Sequence, residues 1–245
     1  MPRFFVTKDK LSENIFNIDG ADAHHIARSL RMAEGDEITV CDGEGGEYRC
    51  SLSKIRDEIC QAEIIEEISS GTEPEVYITL CMAYPKGDKL ETVIQKAVEL
   101  GAARIIPFES SRCIKRPKAE KVDKQTARLE RIAEEAAKQC GRARIPTVTH
   151  PHGFNEMLRA ISEVELPMIC YENEDGLTIK SAIKNIQPPK SVAIIVGSEG
   201  GFSPEEVSAA LEAGCKSVSL GNRILRCETA PLYALSALSY EFELD

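Results

Sequence analysis

From Glu47 to Leu52 the chain alternates, with Tyr48, Cys50 and Leu52 on one side of a pleat and Arg49, Ser51 and Ser53 on the other, the period-two pattern of a half-buried strand. EITVCDG, from Glu37 to Gly43, precedes it and ends in a turn, and ICQAEIIEEI continues as a third strand. A helix reads around Asp22 to Arg31. The segment Ser69 to Glu75, with Ser69, Ser70, Gly71, Thr72 and Pro74, breaks the pattern as a linker. What precedes it has the size and strand content of a small β-barrel of roughly seventy residues.

Beyond the linker, short apolar runs rich in β-branched residues alternate with segments of helical period. The strands read as VYITLCMA from Val76, ARIIPF from Ala103, PMICYE from Pro167, VAIIVG from Val192 and SVSLG from Ser217. Between them, KLETVIQKAVEL from Lys89 places Leu90, Val93, Ile94, Ala97 and Leu100 on one face and stops at Gly101. VSAALEA stops likewise at Gly214. A last helix after Pro231 carries Leu232, Leu235, Leu238 and Phe242 in one stripe, which reads as core or subunit interface. Strand and helix alternating through short connections predict an α/β domain whose parallel sheet is covered on both faces. The predicted division is 1–72 for the β domain and 73–245 for the α/β domain.

Composition narrows the class. With 245 residues, 42% of them hydrophobic, the chain has room for one large domain or two smaller ones. No apolar run is long enough to span a membrane and MPRFFVTKDK lacks a signal-peptide core, so a cytoplasmic protein is expected. Nine cysteines without a C-x-x-C pair read as reduced, mostly buried thiols, and His24, His25, His150 and His152 have no familiar metal spacing, so no metal is expected. A net charge of −10 disfavours a nucleic-acid partner on its face, yet Arg112 to Arg144 holds eleven Lys or Arg against five Asp or Glu. That excess is a basic face for RNA or a solvated helix with pairs such as Arg131 with Glu135.

The chemistry concentrates in two loops near the C-terminus, VGSEGGFSPEEV from Val196 to Val207 and LGNRILRCETAPL from Leu220 to Leu232. Each joins a buried strand to a helix start, so both can face one ligand. Ser203, Pro204 and Glu206 form a capping box with proline at the first helical position, and Phe202 with Val207 fits a hydrophobic staple. Gly197, Gly200 and Gly201 therefore occupy the crossover, where the backbone turns sharply and a ligand can approach its amides. The spacing of a triphosphate cradle and that of a dinucleotide fold are both missing. Glu199, in the middle of the loop, repels phosphate and suits a neutral or cationic ligand, such as the sulfonium of S-adenosylmethionine.

These residues carry a family resemblance over essentially the whole chain. His25, Leu30, Arg31, Gly35 and Asp36 with DGEGGEY, then KGDKLETVIQKAVELGAARIIP, then Glu135, Ala136, Gln139, Gly141 and Arg142, and last GSEGGFSPEE and LGNRILRCETA, are similar to the RsmE family of 16S ribosomal RNA uracil N(3)-methyltransferases of the SPOUT superfamily. The resemblance implies a PUA-like RNA-binding domain, a C-terminal trefoil knot, S-adenosylmethionine as cofactor, the small ribosomal subunit as partner and a homodimer through the knotted domain. It implies that Glu172, Gly197, Ser198, Glu199 and Gly200, with Leu220, Gly221, Ile224, Leu225, Thr229 and Ala230, line the cofactor, while Gly201 supports the turn. The chain departs from the family pattern at Ser198, where proline is usual, at Cys227, where threonine is usual, and at Ser29, where an aliphatic residue is usual.

Methylating N(3) of uracil requires alignment and removal of a proton, or stabilisation of the charge it leaves. Arg226 is a candidate to stabilise the uracil anion, and Glu228 to accept the proton if partial burial raises its pKa; alternatively the two form a structural ion pair. Arg3, His25, Arg28 and Arg31, with Arg112, Lys115 and Arg116, are candidate RNA contacts. A ribose 2′-O-methyltransferase of the same superfamily and a non-catalytic RNA-binding protein are the alternative readings.

Overall fold

The computed structural model of the chain describes residues 1–56, 58–69, 71–114, 116 and 119–244. They divide into two compact units: Met1–Glu73 with Ala137–Ile145, and Pro74–Ala136 with the chain from Pro146 onward.

In the first unit, β1 (Arg3–Phe5), β2 (Leu11–Ser12), β3 (Ile15–Asp19), β4 (Glu37–Cys41), β5 (Glu47–Ile55) and β6 (Ile59–Ile68) form one sheet in the order β1-β4-β5-β6-β3-β2. Only β1 and β4 run parallel; the other pairs are antiparallel. The alternation read in the sequence sends Cys50 and Leu52 inward, where they meet Phe4, Phe16, Ile18, Ile26 and Ile38. Register shifts between β5 and β6 curl the sheet, but among the described residues β1 and β2, at the two ends of its path, do not pair with each other, so the expected small barrel is a half-barrel. The helix expected over 22–31 is split. α1 (Gly20–His24) passes into a π-helical stretch, His25–Ser29, and ends in Arg31, whose φ of 52° is left-handed.

The returning segment 137–145 is held to this unit by charge. Arg142, whose side chain is 4% exposed, donates to Glu73 at 2.7 Å, and Glu73 also accepts the N–H groups of Ala143 and Arg144 at 3.0 and 3.1 Å. A second tie joins Lys138 to Asp22 at 3.2 Å.

The second unit contains β7 (Tyr77–Ala83), α2 (Lys89–Glu99), β8 (Ala102–Glu109), α3 (Val122–Cys140), whose last turn crosses into the first unit, β9 (Thr147–Val148), β10 (His152–Gly153), α4 (Phe154–Ala160), β11 (Leu166–Cys170), α5 (Ile179–Ile183), β12 (Ser191–Val196), α6 (Pro204–Glu212), β13 (Lys216–Val218) and α7 (Thr229–Phe242). The strands pair in parallel in the order β10-β8-β7-β12-β11-β13, with β9 also on β8. After β8, β9 and β10 have extended the sheet on one side of β7, β11 starts on the other side, β12 inserts between β7 and β11, and β13 adds beyond β11. α7 packs on α2, α5 and β12.

α2 buries Leu90, Val93, Ile94 and Ala97 as its period requires. α7 starts at Thr229, two residues before the expected proline, because a first-turn N–H has no intrahelical partner and Pro231 loses nothing there. Its buried stripe runs through Ala230, Ala234, Leu235 and Leu238, leaving Leu232 and Phe242 half-buried. Among the described residues no helix is long and apolar enough to cross a membrane.

Candidate functional site

Because every strand of the second sheet runs parallel, the loops after β7, β8, β11, β12 and β13 leave the same edge. The loop after β12 is built as its sequence implies. Ser203 Oγ accepts the N–H of Glu206 at 3.3 Å, Glu206 accepts the N–H of Ser203 at 3.0 Å, and Phe202 and Val207 are buried. Glu206 does more than cap: it also takes the N–H and hydroxyl of Ser111 at 2.7 and 3.0 Å, fixing the loop after β8 against α6.

Within 197–201 the N–H of Gly201 reaches the carbonyl of Ser198 at 3.0 Å. A Cβ on Gly200 would lie 2.9 Å from that of Arg112, and one on Gly201, whose φ is 63°, would lie 2.4 Å from a carboxylate oxygen of Glu172. Arg112 in turn donates to the carbonyl of Gly200 at 3.0 Å. Glu172 and Arg112 thus brace the glycine turn from the loops after β11 and β8. Ser198 is buried.

The loop after β13 is anchored at both ends. Ser219 exchanges backbone bonds with Leu177 and Ile179 at 2.8 and 2.9 Å, and the carbonyl of Arg226 accepts the N–H groups of Thr229 and Ala230 at 2.8 and 2.9 Å. Between the anchors Leu220 and Leu225 are half-buried, Gly221 is exposed, and Ile224 is 89% exposed.

The two loops meet at a residue that sequence reasoning passed over. Lys89 Nζ, 31% exposed, lies 3.0 Å from Glu199, 3.1 Å from Glu228 and 3.7 Å from Cys227 Sγ. Glu199 also accepts the N–H of Lys86 at 3.1 Å. Hydrogen bonds to Glu199 and then Glu228 raise the Lys89 pKa above its ordinary range. Burial pushes Glu199 upward, but its backbone N–H bonds and Lys89 outweigh it and hold the carboxyl below the usual value. Glu228 is also lowered, first by its own backbone N–H and then, against partial burial, by Cys227 and Lys89. The upward shift that would make Glu228 a proton acceptor is therefore not what its surroundings produce. The alternative ion pair with Arg226 is not formed either: Glu228 pairs with Lys89, and the exposed Arg226 makes no ion pair among the described residues. Burial pushes the Cys227 thiol up to about 12, so its S–H stays to donate to Glu228 at 3.2 Å. The cysteine thus keeps a donor in place of the family's hydroxyl.

The RNA candidates divide. Arg3 is committed to Glu47, which is 2% exposed, and to the carbonyl of Arg142 at 3.5 Å; it is a structural cation, not a free phosphate contact. His25, Arg28 and Arg31 are exposed on and just beyond the π-helical stretch. Arg112 lies on the glycine loop, Arg116 is exposed and 3.9 Å from Glu109, and Lys115 falls outside the described residues. A cleft between α2 and α3, lined by Glu91, Ala127, Arg128, Arg131 and Ile132, shares no residue with these loops. Among the described residues no group of three or more His, Cys, Asp or Glu could hold a metal ion.

Residues 72–239 match an RNA methyltransferase domain and residues 18–65 an RNA methyltransferase PUA domain. The chain is 38% identical over 251 residues to ribosomal RNA small subunit methyltransferase E of Bacillus subtilis, spanning 100% of this chain and 98% of that protein. It is 32% identical to the protein of the same name from Synechocystis, over 97% of this chain and 77% of that protein. Its fold is similar to the crystal structure of a ribosomal RNA small subunit methyltransferase E from Neisseria gonorrhoeae bound to S-adenosyl methionine, with a TM-score of 0.86, 33% identity and coverage of 98% and 97%.

Proposed function

The chain belongs to the ribosomal RNA small subunit methyltransferase E family, and on that premise we propose that it transfers a methyl group from S-adenosylmethionine to N(3) of a uridine in 16S ribosomal RNA. The observation that carries the reading is the glycine turn at 197–201, closed on Arg112 and Glu172 beside a loop that leaves Ile224 in water. Such a site suits the cofactor. Glu199 in the middle of the glycine turn disfavours a phosphate and suits a sulfonium, and Ile224 with Leu225 offers an apolar seat to an aromatic base. The residues proposed to hold it are Glu172, Gly197, Ser198, Glu199 and Gly200, with Leu220, Gly221, Ile224, Leu225, Thr229 and Ala230.

When bound, the cofactor supplies an electrophilic methyl. The protein's share is alignment and charge. Arg226, exposed beside the second loop, is proposed to stabilise negative charge on the uracil as N(3) loses its proton to solvent. The lowered pKa of Glu228 favours this over proton transfer to the carboxylate. The domain 1–72 is proposed as the PUA-like RNA-binding part, with His25, Arg28 and Arg31 as contacts, joined by Arg112, Lys115 and Arg116 of the domain 73–245. The strand order, with β12 inserted between β7 and β11, supports a trefoil knot around the cofactor loops. Exposed Tyr233, Tyr240 and Leu244 along and beyond α7 support a homodimer through that domain. We assign its action to the small subunit in the cytoplasm.

The test is to incubate the protein with labelled S-adenosylmethionine and either naked 16S RNA or small subunits lacking the modification, then map the product. Methyl on N(3) of one uridine is expected. Label on ribose, label on transfer RNA alone, or no transfer would overturn the reading.

A further inference from the structure

We propose that Lys89 is a positioning residue for methyl transfer, one ammonium that ties the glycine turn to the segment carrying Arg226 through Glu199 on one side and Glu228 on the other. The inference rests on the methyltransferase reading above.

Lys89 is the first residue of α2, where the positive end of the helix dipole disfavours a cation. A local preference broken at a loop edge calls for a compensating contact, and Lys89 has two, at 3.0 and 3.1 Å. The groups that face it are Glu199 after β12, Cys227 and Glu228 before α7, and Asp88 beside it in the chain. Glu199 has a second anchor, the N–H of Lys86. Glu228 has only Lys89 and the Cys227 thiol among its described side-chain partners. Without the ammonium, two carboxylates would share one site and repel, and the loops would separate at the point where cofactor and uracil must align. A primary ammonium suits the task because all three of its donors converge from one atom, where a guanidinium would present a flat fork.

The experiment compares Lys89→Met and Lys89→Arg with the native chain in three measurements: amide hydrogen exchange at 197–201 and 226–230 without cofactor, thermal melting, and the pH profile of single-turnover methyl transfer. Lys89→Met is expected to melt cooperatively, to exchange faster in both segments, and to transfer methyl on the order of 100-fold more slowly. The acid limb that protonation of Glu199 and Glu228 gives the native rate profile should be missing from it, since no bridge is left to lose. Lys89→Arg is expected to recover part of the rate and of the native profile. Native exchange in either segment, or a native rate and profile in Lys89→Met, overturns the proposal. Should Lys89→Met not fold, Glu228→Gln separates the cases: faster exchange at 226–230 with 197–201 unchanged supports the bridge, and no change at 226–230 overturns it. A native protein that moves no methyl to either RNA, while exchange responds as expected, removes the function and leaves the bridge.

Discussion

At the scale of single residues, the glycine turn and the buried charges give the sharpest expectations. Gly200 has an ordinary backbone but no room for a side chain, since Arg112 would lie 2.9 Å from the added carbon. Gly200→Ala should therefore weaken S-adenosylmethionine binding about tenfold, about 1.4 kcal/mol, and also lower the melting temperature, since the turn or Arg112 must shift, as calorimetry and a thermal scan would read. Arg3→Met removes a charged partner of the buried Glu47, so it should destabilise the chain by about 3 kcal/mol in denaturant titration, and adding Glu47→Leu should recover most of that. For the Lys89 bridge the sign follows from the shifts. Lowered carboxylates stabilise above about 4.5 and lose that as pH falls through their folded values; the raised ammonium stabilises below about 10.5 and loses that as pH rises past it. The stability difference between the native chain and Lys89→Met should accordingly be flat from about pH 5 to 10 and shrink outside it. The glycines were legible because turn chemistry is local. Lys89 was not: its partners stand 110 and 139 positions along the chain, and only its awkward place at a helix start hinted at them.

At the scale of elements, α6 shows what a local signature can and cannot foretell. Ser203, Pro204 and Glu206 announce its start, and the cap forms as written. The sequence does not show that the same carboxylate holds Ser111, because that contact depends on which strand ends share an edge. Ser203→Ala should cost about 1 kcal/mol, as caps do, whereas Glu206→Ala should cost about 2 kcal/mol or more by also orphaning the Ser111 N–H. Chemical denaturation of the two variants distinguishes these. Strand positions were legible to within a residue or two where apolar runs were nearly unbroken, as in β7 and β12. The π-helical stretch after α1 was not, since a helix-like composition carries no mark of one extra residue in a turn.

At the scale of the whole molecule, the return of 137–145 to the first unit is the feature that local patterns hide. Arg142 sits in a basic stretch that reads as an RNA face, yet it is buried on Glu73. A fragment ending at residue 73 lacks Lys138, Arg142 and the backbone donors of Ala143 and Arg144, and its circular dichroism melt is expected to be broad and lower than that of the intact chain. RNA affinity belongs to this scale as well. If Arg28 and Arg31 meet phosphates, removing each should lower the slope of log affinity against log salt by about one, across all sequences tested. The same returning segment constrains how the chain is made. The half-barrel comes first in the sequence, but its last piece is translated only after the 72 residues from 74 to 145 have been added, which takes about 4 to 15 s at ordinary rates of synthesis. By then β7, β8 and α3 are already made, so the amino-terminal unit must wait unfinished while its neighbour begins to fold.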